Sequence, residues 1–271
     1  MFVTVLLMLG AGCQASRPAP FQEAQVPHAH ITLFVAEGGF RQGQPLELGL
    51  LFQLDPGWHI YWKNPGDSGL APSFQVKARG ATLKRIDWPL PKRLDIPGLA
   101  GFGYDKEVLF PILLQVDPDA EQVNVHLKLD YLICAEICVP GSAELDLVIP
   151  RQGEGTPSPE LLNALTRSKA RVPPEPGAFH AKVTDRSEGF LTLAVTGGTF
   201  PPLKGLEAFP ENGEFFSAKP AELRAQSPDR LEIALPLEAN APENVHPGKV
   251  HLRLLPGGEV FTLDLDASGR R

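Results

Sequence analysis

The chain has 271 residues, 43% of them hydrophobic, with 28 Pro, 26 Gly and a formal net charge of −7. That composition is globular and turn-rich, and the length suits two domains or one large β domain. No basic block occurs anywhere, so nucleic acid is excluded as a partner: phosphate binding needs clustered positive charge.

Residues 2–12 form a short apolar run that ends in small residues just before Cys13, followed by Gln14-Ala-Ser-Arg-Pro-Ala-Pro20. The run is too short to span a bilayer as a stable helix. It reads as the apolar region and cleavage site of an export signal, so residues 1–20 are assigned to a signal and tail. The small-small-Cys ending is similar to a bacterial lipoprotein signal, with Cys13 as the lipidated residue and a membrane anchor as the consequence. Gly10 stands where such signals carry leucine, and an ordinary cleaved signal or a buried N-terminal strand are the alternatives.

Strand alternation then begins. Ala29–Ala36, Leu46–Leu54, His59–Trp62, Ser73–Lys77, Thr82–Trp88 and Val108–Val116 read as strands, separated by Gly, Pro and Asp turns. Many short strands at close spacing predict a sandwich. Residues 21–150 are taken as this first domain. Residues 151–178 change character and read as a Pro-rich linker. Within it Ser158 is placed to cap a short helix, with Pro159 at its first position. Residues 179–271 resume strands at 180–183, 190–195, 230–235, 249–255 and 260–265, with no cysteine and no cluster of catalytic residue types. The expected architecture is all-β: two β-sandwich domains joined by the linker.

The strongest chemical signal lies at the end of the first domain. Setting Cys13 aside, Cys134 and Cys138 are the only cysteines, one pair with no odd thiol. They close Val123–Cys134 and Cys138–Ile149, two arms that alternate apolar and polar residues. Setting Cys134 opposite Cys138 places Leu129 on Ala143, Leu127 on Leu145 and Val125 on Leu147, all on one apolar face. On the other face Lys128 meets Glu144 and His126 meets Asp146, opposite charges in opposed positions. A slip of one residue would send the apolar set to the wrong face. In this register both sulfurs lie on the outward face, with Cα atoms about 4.5–5.5 Å apart, within reach of a disulfide.

Three readings of the pair stand. An exposed disulfide at a hairpin end can exchange with an incoming thiolate. A structural staple is the plain alternative, but closing so small a loop removes little unfolded-state entropy. A metal site is the third, with the pair supplying half the ligands and His126 several residues away. The segment Gly57–Pro72 is aromatic and then Gly- and Pro-rich. A stacking platform is conceivable there. The plainer reading has Trp58, Ile60 and Trp62 fill the sandwich while His59 and Tyr61 face out, or the reverse. No phosphate-cradling glycine loop, His-Glu-x-x-His or Gly-x-Ser-x-Gly motif occurs, and no cofactor is expected.

Four motifs in order carry a family resemblance: Gly57-Trp-His-Ile-Tyr-Trp-Lys-Asn-Pro-Gly-Asp-Ser-Gly69, Ile86-Asp-Trp-Pro-Leu-Pro91, Gly103-Tyr-Asp-Lys-Glu-Val108 and Leu132-Ile-Cys-Ala-Glu-Ile-Cys-Val-Pro-Gly141. Together they resemble the N-terminal periplasmic region of DsbD/ScsB-type protein-disulfide reductases, the thiol:disulfide interchange proteins. Leu206–Pro210 and Phe215-Phe216 are similar, less specifically, to the β domain that follows in the ScsB branch. The resemblance implies that the two β-sandwich domains are immunoglobulin-like and that the protein is periplasmic, its Cys134 and Cys138 taking electrons from a membrane-embedded DsbD/CcdA-like carrier. Its clients are then periplasmic thioredoxin-like or disulfide-bonded proteins. It implies that Cys138 forms the mixed disulfide. It also implies a cap loop over the pair, with Phe102 as the capping aromatic, Tyr104 as the second candidate, and Asp105 and Glu107 flanking. The membrane-spanning and thioredoxin-like regions of the full reductases have no counterpart here, so electrons are expected to come from separate proteins. A non-enzymatic periplasmic binding or assembly module with a structural disulfide is the alternative.

Overall fold

Alternating side chains on turn-bounded segments leave each strand one apolar face to bury, and the chain solves this twice. A computed structural model describes residues 21–151, 157–187, 189–243 and 247–266. The expected signal over residues 1–20, with Cys13, and part of the linker lie outside the described residues.

In chain order the strands are β1 (Phe21–Val26), β2 (Ala29–Val35), β3 (Pro45–Leu54), β4 (His59–Tyr61), β5 (Ser73–Arg79), β6 (Ala81–Ile86), β7 (Lys92–Ile96), β8 (Leu99–Asp105), β9 (Glu107–Val116), β10 (Gln122–Cys134) and β11 (Cys138–Pro150). Helix α1 (Pro159–Lys169) follows. Then come β12 (His180–Ser187), β13 (Phe190–Thr196), β14 (Gly205–Pro210), β15 (Glu222–Ser227), β16 (Arg230–Pro236), β17 (Lys249–Leu255) and β18 (Val260–Asp264). Among the described residues the architecture is all-β, as expected, apart from the one helix.

The first sandwich packs a sheet ordered β1-β2-β3-β9-β6 on a sheet ordered β11-β10-β4-β8-β7, with β5 also pairing β10. Its core holds Leu33, Leu50, Phe52, Phe110, Leu127 and Leu129, all essentially solvent-free. The second sandwich has sheets β12-β13-β16-β15 and β14-β17-β18 around Leu193, Ile233, Phe216 and Leu252. Helix α1 starts as read: Ser158 Oγ accepts from Leu161 N at 3.4 Å. It is not a free connector. Ala164 and Leu165 bury against Phe34, Leu51 and Leu109, on the face of β2, β3 and β9 that points away from the sandwich core. Those strands carry apolar residues on both faces, so the sheet needs a cover, and the helix supplies it.

The two sandwiches meet on β4, β8 and the loop after β4. Phe102 of β8 lies 5.5 Å from Phe209 of β14, and Trp62 lies 6.0 Å from His251 of β17. Asn64 is fully buried between them. Its Nδ2 donates to the carbonyls of Pro210 (3.1 Å) and Phe216 (3.2 Å), and its Oδ1 accepts from Gly66 N at 2.9 Å.

Candidate active site

The hairpin β10–β11 forms in the register that the alternation dictates. Cys134 pairs with Cys138, Leu129 with Ala143, Leu127 with Leu145, Val125 with Leu147, Lys128 with Glu144 and His126 with Asp146. The turn between the cysteines, Ala135 to Ile137, closes with Ala135 N donating to Ile137 O at 2.9 Å. The two sulfurs are bonded, and the Cα atoms stand 4.1 Å apart.

On its other side β10 continues the row. Cys134 is paired directly with His59 of β4, and His59 directly with Asp105 of β8. Directly opposed residues of antiparallel strands point to the same face. Cys138, Cys134, His59 and Asp105 therefore form one line across four neighbouring strands, on the face turned away from the sandwich core. Ile60 and Trp62, of opposite parity, are buried in that core, and His59 and Tyr61 share the outer face.

That outer face is not open at both sulfurs, so the reading of an exposed hairpin-end disulfide describes Cys138 and not Cys134. Cys138 is exposed, but Cys134 is only 1% exposed. Tyr61 and Leu94 close over it, with Ile96 and Leu132 at the margin. Tyr61 is held in turn by the loop after β4. At Gly69, with φ +95°, a Cβ would stand 2.2 Å from the Tyr61 ring, so only glycine lets the backbone lie this close. His59 Nε2 lies 3.3 Å from Tyr61 Oη, with the rings edge to face. Burial lowers the His59 pKa from its ordinary value; Asp105 opposes that shift and Lys92 adds to it. Lys92 and Asp105 are themselves ion-paired. A groove of about 500 Å³ leads to this spot between Pro56 and Trp58 on one side and Lys92, Leu94 and Asp105 on the other. Ile137 in the turn and Leu70 in the loop after β4 are each 66% exposed, a large fraction for apolar side chains.

The residues expected to cap the pair lie elsewhere, Asp105 excepted. Along β8 the side chains alternate, and Phe102 and Tyr104 take the inward parity. Phe102 is fully buried between Trp62 and Phe209. Tyr104 is buried against Phe110 and donates its hydroxyl to Pro89 O at 2.7 Å. Burial pushes its phenol well above the ordinary value, so it stays a neutral donor. Glu107 opens β9 opposite Gln53 and pairs with Arg167 of the helix at 3.1 Å. Asp105 alone of the four sits on the disulfide face. The cover comes instead from Tyr61 and from Leu94 and Ile96 on β7. Their signal was present: Lys92-Arg-Leu-Asp-Ile96 alternates, and Pro97-Gly98 is turn chemistry. Among the described residues no group of three or more His, Cys, Asp or Glu side chains is arranged to hold a metal ion. No helix among them is long and apolar enough to cross a membrane.

Residues 29–150 match the family described as thiol:disulfide interchange protein DsbD, N-terminal. The resemblance read from the four motifs is thus borne out over that segment. No curated protein matches the chain. Among solved structures it is similar to the crystal structure of the N-terminal periplasmic domain of ScsB from Proteus mirabilis. The TM-score is 0.67 at 22% identity, covering 91% of this chain and 97% of that one. That likeness concerns the fold, and its coverage runs through both sandwiches.

Proposed function

We propose that this protein exchanges thiols for disulfides with partner proteins through Cys134 and Cys138. It receives electrons from a membrane-embedded carrier and passes them to periplasmic thioredoxin-like or disulfide-bonded clients. One observation carries the reading: the two bonded sulfurs differ in access, Cys138 exposed and Cys134 under a thin apolar cover.

The asymmetry assigns the roles. An incoming thiolate reaches Cys138 Sγ, forms a mixed disulfide there and expels Cys134 as a thiolate, which takes up a proton. A second donor thiol then breaks the mixed bond, leaving a dithiol on this protein and a disulfide on the donor. Reduction of a client runs the same steps in the opposite sense. The cover formed by Tyr61, Leu94 and Ile96 takes the part of the cap, and it slows exchange with stray thiols. Asp105 borders the site; Phe102 and Tyr104 act as the packed floor beneath it. Export by residues 1–20, with Cys13 lipidated, would hold the site close to a membrane carrier.

The staple reading is weaker on physical grounds. The loop closed by the bond spans only Ala135 to Ile137, so it constrains the unfolded chain little. Equilibrating the full chain against defined thiol–disulfide buffers separates the two. A working pair has a reduction potential above about −300 mV; a value far below that supports a staple. In the reduced chain, Cys138→Ala is expected to abolish mixed-disulfide formation with a disulfide-bonded client while the β-sheet circular dichroism persists. Undiminished exchange in that variant overturns the proposal.

A further inference from the structure

The row across β11, β10, β4 and β8 contains more than the two cysteines. His59 stands between Cys134 and Asp105, each its direct cross-strand partner. A thiol, an imidazole and a carboxylate on one face in that order have the makings of an acid–base relay. We infer that His59 is the acid–base partner of Cys134, and that Asp105 is the residue that positions and polarises His59. This rests on the exchange reading above and deepens it.

The need for such a partner follows from the burial of Cys134. A thiolate, not a thiol, is the attacking species, and apolar surroundings disfavour the charge. Tyr61 and Leu94 give Cys134 apolar neighbours, and Cys138 projects into solvent. The step that most needs a base is therefore the second one. In the first, the Cys138 thiolate attacks a client disulfide, forms a Cys138–client bond and releases one client sulfur, which takes a proton from solvent. In the second, His59 accepts the proton of Cys134 Sγ. The resulting thiolate attacks Cys138 Sγ, remaking the Cys134–Cys138 bond and expelling the other client sulfur, which takes the proton from the His59 imidazolium. The client gains two electrons and two protons, and the pair loses the same. In the reverse direction a donor dithiol attacks Cys138, and the His59 imidazolium protonates the departing Cys134.

The charged and titratable groups around His59 fit the part. Asp105 from β8 favours the protonated ring, and Lys92 from β7, paired with Asp105, disfavours it. Tyr61 Oη contacts Nε2. Asp95 and Lys106 line the outer groove, and Glu136 lies in the exposed turn beyond Cys138. Burial holds His59 below its ordinary value, so the ring is mostly a free base at neutral pH.

The test uses the full chain, reduced, and dipyridyl disulfide as the client. Two thiopyridone equivalents are released in sequence, the second reporting attack by Cys134. In the wild type the second rate should rise with pH below the ordinary histidine value, as the ring loses its proton, and then level. In His59→Gln it should lose that break, rise only where an unassisted thiol ionises, and fall about ten-fold or more at pH 7, because even an unburied thiol is only a few per cent thiolate there. Asp105→Asn should move the wild-type break to lower pH, since it removes the charge that favours imidazolium. The wild-type profile stands on its own should His59→Gln fail to fold: no break below the ordinary histidine value overturns the inference. An unchanged second phase in His59→Gln does the same while leaving the exchange reading intact. No release from Cys138 at all overturns both.

Discussion

The ribbon formed by β4 and β8 presents two faces with opposite treatment. On the inner side, Trp62 and Phe102 meet Phe209 and His251 of the second sandwich. Beside them Asn64 spans the gap, and Glu211 accepts from Lys63 (2.6 Å) and lies 3.0 Å from His251. On the outer side, Tyr61, Leu94 and Ile96 cover Cys134 beside the half-exposed His59 and Asp105, with the contact between Tyr61 and His59 as a polar tie. The inner face opens only if two sandwiches part. The outer face opens if a few apolar side chains swing away. Local opening draws on regions with few contacts and few backbone ties. The same two strands thus carry a permanent joint and a site that admits a partner.

The largest effect should come from breaking the joint. Asn64→Leu keeps the branched heavy-atom shape but leaves two carbonyls and one N–H without their partner in a dry interface. Each unsatisfied buried group costs about 1–3 kcal/mol, so a loss of about 3 kcal/mol or more is expected. Urea denaturation should show a lower midpoint or a split into two transitions as the sandwiches uncouple. A single transition with the wild-type midpoint would mean that the interface is not held through Asn64.

The pH dependence of the joint should be nearly as large. Burial alone would raise the Glu211 pKa, but the hydrogen bonds from His251 and Lys63 outweigh it and hold the carboxyl at about 2. The folded value lies below the unfolded one near 4.5, so the stabilisation is complete above pH 4.5. It is lost as the pH falls toward 2. A difference of that size corresponds to about 3 kcal/mol, reduced to about 2 for a side chain with some solvent access. Glu211→Gln should flatten the acid limb of the stability curve in this window. An identical acid limb in wild type and variant would assign that limb to other carboxylates.

The outer cover should respond differently. Leu94→Ala removes a nearly buried side chain beside Cys134 and should cost about 2 kcal/mol, less than the interface change. Its distinguishing mark is chemical: reduction of the disulfide by dithiothreitol should accelerate, because the buried sulfur loses its shield. Asn64→Leu has no direct contact with Cys134 and should accelerate reduction less. A slower reduction in Leu94→Ala would remove Leu94 from the cover.

How far this contrast can be read from sequence depends on which face a residue serves. The β10–β11 hairpin was legible to the residue, because both arms alternate cleanly and a short turn fixes their offset. The fold class and the capped helix were legible for similarly local reasons. The β7–β8 hairpin was not. In Leu99-Ala-Gly-Phe-Gly-Tyr-Asp105 the two central outward positions are glycines, since a Cβ at Gly103 would stand 2.3 Å from Ile60 O and one at Gly101 3.0 Å from Pro65 O. Close backbone approach erased the alternation that marks a strand, and with it the cue that Phe102 and Tyr104 point inward. His59 was visible as a residue, but its place between Cys134 and Asp105 depends on pairings between strands far apart in the chain. No local pattern encodes those pairings.

The smallest effect lies at the far end of the same hairpin, where the contrast between joint and site should vanish. His126 and Asp146 are opposed and 2.8 Å apart, with the carboxylate largely in solvent. Exposed pairs of this kind contribute about 0–1 kcal/mol because water screens them and ordering the side chains costs entropy. Asp146→Asn should therefore shift stability by no more than about 0.5 kcal/mol and leave disulfide exchange at the wild-type rate. Seven residues of β10 lie between His126 and Cys134, and regular pairings join the two positions. An altered exchange rate in Asp146→Asn would mean that the hairpin transmits strain along its length and that access to the sulfurs is not set by the local cover alone.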